Sequence, residues 1–66
     1  MIIETGREDD GRWIAGVAEI AGAMAYGATR EEAVARAEVL VLRILADRLE
    51  NGEETPELDA VFTMAA

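Results

Sequence analysis

The stretch TREEAVARAEVLVLRILADRLENG, residues 29–52, decides the fold. Thr29 is placed to accept a hydrogen bond from the backbone amide of Glu32, while the Glu32 side chain reaches back, the pairing of a capping box. Glu31 and Glu32 also suit the positive end of a helix dipole. Nothing interrupts the pattern until Asn51-Gly52, a standard helix stop. The segment predicts one helix of about 21 residues, roughly 30 Å long at 1.5 Å per residue. Stepping by 100° per residue puts Ala33, Val34, Ala37, Val41, Ile44 and Leu45 on one broad apolar face, which should pack on a sheet. Arg36, Arg43, Asp47 and Glu50 form a narrow polar stripe, with Glu32–Arg36 and Arg43–Asp47 as i,i+4 pairs. A second apolar strip is left over: Ala35, Val39, Leu42, Ala46 and Leu49. Either it tucks under the segment from Asn51 to Leu58, or it is an oligomer interface. A domain this small cannot bury both faces, which favours the interface.

Strand signals flank this helix. Met1 to Thr5 begins apolar and β-branched. Arg7 to Arg12 is polar and carries Asp10-Gly11, a strong hairpin signal. Trp13 to Ile20 reads as a second strand, with Trp13, Ala15 and Val17 on one face and Ile14 and Gly16 on the other. Gly22 breaks it, and Ala23 to Gly27 makes a short third strand in which Met24 and Tyr26 share a face. Beyond the helix, Pro56 closes a polar linker and Val61 to Ala65 offers a fourth strand. The expected fold is α+β, ordered β-β-β-α-β, as one domain spanning residues 1–66. A right-handed crossover would set strand four parallel to strand one. The helix would then cover one sheet face and leave the other bare.

Composition narrows the function. The 66 residues hold 14 Asp and Glu against 6 Arg and no Lys, a formal charge of −8. Such a chain repels free nucleic acid, whose binding runs on Lys and Arg. A basic protein partner would be attracted. His, Cys, Ser and Lys are all absent, which removes imidazole acid–base catalysis, thiolate and serine nucleophiles and Schiff bases. No enzyme activity, cofactor or metal site is therefore expected. Glu8, Asp9 and Asp10 lack the ligand spacing of a calcium loop and read as a solvated hairpin tip. With no disulfide or metal to staple a small core, a homo-oligomer, dimer or tetramer, is the most available stabiliser. Met1 is followed directly by Ile2, Ile3 and Glu4 without a basic leader, and Val39 to Ala46 is too short to span a bilayer. Cytoplasmic residence is the default expectation.

The expected element order matches the opening half of an RNase H-like fold. Active members of that fold hold metal-binding carboxylates on strand one, the first helix and strand four. Glu4, Glu38 and Asp59 are the nearest counterparts here, which keeps a metal-dependent nuclease as a remote alternative.

The string from Asp9 to Ala33 resembles the HicB-like antitoxin family. The matching residues are Asp10-Gly11, Trp13-Ile14-Ala15, Ala18-Glu19-Ile20-Ala21-Gly22-Ala23 and Gly27-Ala28-Thr29-Arg30-Glu31-Glu32-Ala33, with Pro56 after the helix. The Gly-x-Thr-x-Glu-Glu-Ala junction is the most specific of these. Ala18, Ala21, Ala23 and Ala28 depart from the family's usual Pro, Pro, Cys and Asp, so the match is one of scaffold. The resemblance implies a single-domain member without the C-terminal DNA-binding domain that family members often carry, so operator repression by this chain alone is not expected. It also implies that the chain neutralises a basic HicA-type toxin, a small ribonuclease that cleaves messenger RNA, by covering its RNA-binding surface. On that reading Glu8, Asp9 and Asp10 steer the toxin, and Trp13 and Tyr26 anchor it. Val39, Leu42, Ala46 and Leu49 would form the oligomer interface. The alternative is an orphan homo-oligomeric binding or scaffolding module with no toxin.

Overall fold

The computed structural model describes residues 1–65. Three antiparallel strands, β1 (Glu4–Arg7), β2 (Trp13–Gly16) and β3 (Met24–Gly27), form a sheet in the order β1-β2-β3. One helix, α1 (Arg30–Glu50), follows, and a short 3-10 turn covers Pro56–Ala60. The class is α+β, as expected.

The helix ends where local chemistry places them. Thr29 is the N-cap, and its hydroxyl accepts from the Glu32 amide at 3.1 Å. The reciprocal half of the capping box does not form. The Glu32 carboxylate turns instead to Arg36, 2.8 Å away, one turn along. The second i,i+4 pair, Arg43–Asp47, does not close either; with the cation N-terminal to the acid, that order is the weaker one on a helix. At the C-terminus, Gly52 (φ 74°) donates to the Leu49 carbonyl and Glu53 to that of Arg48, a complete Schellman cap.

The strands are shorter than their sequence pattern. β2 stops at Gly16 because Val17 to Ala23 folds into a closed loop. The Val17 amide donates to the Ala23 carbonyl at 3.0 Å, Ile20 to Val17 and Ala23 to Ile20. This loop drives Ile20 down onto the helix, where it is fully buried beside Val17, Ala23, Val41 and Leu45. A second cluster, Ala15, Ala33 and Ala37, sits under the sheet proper. Alanine at all three contact points draws helix and sheet close together. Gly27 is part of the same approach: a Cβ there would lie 2.5 Å from the Ala33 backbone nitrogen. Glycine is what lets β3 run into the first turn of α1.

The fourth strand is not formed. Leu58 packs on the Val17–Leu45 cluster, and the amides of Val61 and Phe62 both donate to its carbonyl, at 2.9 and 2.8 Å. That winds the chain into a turn where a strand would need those groups directed outward. Val61, Phe62 and Met64 stay exposed, Phe62 at 70%. The order among the described residues is thus β-β-β-α with a 3-10 turn, and the parallel strand that would complete the half RNase H-like arrangement is missing.

Candidate functional site

Alternation along the strands sorts the side chains between two faces. The paired rows Thr5–Ala15–Ala25 and Arg7–Trp13–Gly27 lie on the helix side. The rows Glu4–Gly16–Met24 and Gly6–Ile14–Tyr26 lie on the opposite side, which no element among the described residues covers. Gly6 and Gly16 carry no side chain there, so the face is hollowed. The depression measures about 530 Å³, floored by the two glycines and Ile14 and rimmed by Met24 and the Val17–Ala23 loop. Tyr26, 42% exposed, stands beside Ile14.

The β1–β2 turn ends next to Tyr26. The Glu8 amide donates to the Arg12 carbonyl at 2.7 Å and Gly11 to that of Glu8 at 2.9 Å, with Gly11 at φ 90°. The Asp10 carboxylate accepts from the Arg12 amide at 3.0 Å and from its Nε at 2.7 Å. The Arg12 guanidinium in turn lies 4.6 Å from the centre of the Tyr26 ring, a cation–π contact. The hydrogen bond from the Arg12 amide holds the Asp10 carboxyl below the ordinary 3.8; desolvation opposes it, and the Arg12 guanidinium adds to the lowering. Asp10, Arg12 and Tyr26 thus form one chain of contacts at a corner of the open face.

The expected partner-binding residues therefore divide. Asp10 is joined to Tyr26 through Arg12 on the uncovered side, while no contact links the Glu8 or Asp9 side chain to Tyr26 among the described residues. Trp13 does not join them: it is half-buried on the helix side, packed against the Ala15–Ala33–Ala37 cluster, with Arg7 5.8 Å from its ring. Asp10 has its charge matched by Arg12, while Glu8 and Asp9 form no ion pair among the described residues. Ile14, Met24 and the two glycines were not singled out from sequence. Their shared parity with Tyr26 was the available signal, but it acquires meaning only once the helix is known to take the other face.

Glu4, Glu38 and Asp59 do not assemble. No group of three or more acidic side chains among the described residues is arranged to hold a metal ion. With the fourth strand absent, Asp59 sits in the 3-10 turn and the nuclease reading loses its third position.

The helix strip has a definite placement too. Leu42 is 64% exposed, Leu49 57% and Val39 45%, with Ala35 and Ala46 also exposed. The linker does not cover them, because Leu58 goes to the core side of the helix. Among the described residues, no helix is long and apolar enough to cross a membrane. No family model, no curated protein and no solved structure matches the chain.

Proposed function

We propose that the chain is a protein-binding module of the HicB-like antitoxin kind, which neutralises a basic HicA-type ribonuclease by masking its RNA-binding surface. The observation that carries this reading is the uncovered, hollowed sheet face beside an acidic turn, in a chain of net charge −8. Ile14 in the floor, Met24 at the rim and an amphipathic Tyr26 paired beside Ile14 supply contact area. The surrounding negative potential speeds the encounter with a cationic partner and repels RNA. Binding by occlusion also needs none of the nucleophiles that the chain lacks. Cytoplasmic residence, alongside messenger RNA, belongs to the same proposal.

The test is co-expression with the product of the adjacent gene in a growth assay, followed by co-purification. Rescue of growth together with a stable complex, weakened by Tyr26→Ala, is the expected result. A toxic neighbour that is neither bound nor rescued sinks the reading, as does the absence of any toxic neighbour. The uncovered strip on α1 favours a second, compatible reading, in which the chain is a homo-oligomeric module with or without a toxin. Its test is the mass of the purified chain in solution.

A further inference from the structure

We propose that two copies of this chain pair their α1 helices in parallel and in register, as a short two-stranded coiled coil along the uncovered strip. This deepens the homo-oligomer reading, and it stands independently of toxin binding. The buried residues of α1, Ala33, Ala37, Val41 and Leu45, follow one another by fours, the spacing of a helix lying on a sheet. The exposed apolar residues follow a different rule. Ala35, Val39, Leu42, Ala46 and Leu49 are separated by four, three, four and three, and all are exposed. That is the alternation of d and a positions in a heptad, with Val39 and Ala46 at a and Ala35, Leu42 and Leu49 at d. A β-branched residue at a with leucine at d favours two parallel strands.

Charge fixes the orientation. On this frame Glu38 occupies g, and Arg43 occupies e. In a parallel pair the g residue of one helix faces the e residue five positions on in the other. Glu38 then meets Arg43 of the second copy, twice by symmetry. Neither residue forms an ion pair within its own chain among the described residues. An antiparallel pair sets e against e, and so brings Arg43 against Arg43 or Arg36 of the second copy. Arg36 is already held by Glu32 and by the Tyr26 carbonyl.

The sheet lies away from the seam, and Met1 and Ile3 flank the seam beside Glu38 and Leu42. The seam lies roughly 140° around the helix from the centre of the buried residues, at 100° per residue. The two sheets therefore point away from each other. The seam runs only about 21 Å, too short to hold free helices together. Here the sheet already holds each helix in shape, so pairing need not also fold it. A dissociation constant on the order of micromolar is expected for so small an interface.

The chain has no cysteine, so single cysteines at the two ends of the seam report orientation. In a parallel pair, full-length Ala35→Cys alone and Leu49→Cys alone each oxidise to a covalent dimer, and a mixture adds no mixed species. Cross-linking found only in the mixture of the two variants overturns the parallel register while leaving the strip as the interface. No cross-link in any sample, with a monomer by light scattering at millimolar concentration, overturns the pairing and the oligomer reading together. Reversing either charge, Glu38→Arg or Arg43→Glu, should weaken dimerisation roughly three- to tenfold, and the double reversal should restore it. A double reversal no tighter than the single variants removes the Glu38–Arg43 contact and with it the argument for orientation.

Discussion

Gly27 and Asp10 show how single residues hold the ends of the sheet in place. A methyl group at Gly27 would meet the backbone of Ala33 and Glu32, neither of which can rotate aside. Gly27→Ala should therefore cost roughly 1–3 kcal/mol, and urea denaturation should show a lower midpoint. An unchanged midpoint would mean that β3 and α1 separate easily. Asp10 acts through charge. Its folded-state carboxyl titrates below 3.8, so its contribution to the turn is present above that pH and lost as pH falls through the lower folded value. Carbon-detected NMR should find its midpoint below those of free aspartates. In Arg12→Ala the midpoint should return only part way, because the backbone amide at position 12 still donates. A full return would assign the whole effect to the guanidinium.

At the scale of elements, α1 carries two contrasting leucines. Leu45 is buried in the core and Leu42 is open. Leu45→Ala should cost about 2–5 kcal/mol through the cavity it leaves, whereas Leu42→Ala should leave monomer stability within about 0.5 kcal/mol. Leu42→Glu should move the mass seen by light scattering towards the monomer. The helix was legible from residue 29 to residue 52 because its signals, the Thr29 cap and the Asn51-Gly52 stop, act within a few residues of themselves. The strand lengths were not. Val17 and Ile20 carry strand-forming side chains, but the hydrogen bonds between Val17, Ile20 and Ala23 close locally before a ladder can extend. Val61 to Ala65 has β-branched and aromatic residues as well. Whether such a segment pairs depends on a distant edge, and here the Leu58 carbonyl captures its first two amides. The side chosen by Trp13 depended in the same way on where the helix settles. Tyr26 was legible as a surface aromatic, but the glycine floor beside it was not.

For the whole molecule, the long-range field and the local contacts should be separable. Neutralising Glu8, Asp9 and Asp10 to the corresponding amides should slow association with a basic partner and flatten its dependence on ionic strength, with little change in dissociation. Stopped-flow measurements at two salt concentrations check this. An altered dissociation rate with unaltered association would place these acids in the contact itself. Tyr26→Ala should show the reverse pattern, with faster dissociation.

Both outer strands of the sheet are unpaired along one side, a row of backbone groups on which foreign chains can grow. Each strand here is only four residues long, and β1 begins with Glu4 and ends with Arg7, both exposed. An incoming strand would gain few hydrogen bonds and would have to accommodate a charged side chain at each end. The brevity of the ladder thus guards against fibre growth. Removing the end charges of β1, by replacing Glu4 and Arg7 with valine, should yield a protein that binds amyloid dyes on standing, while the natural chain stays clear.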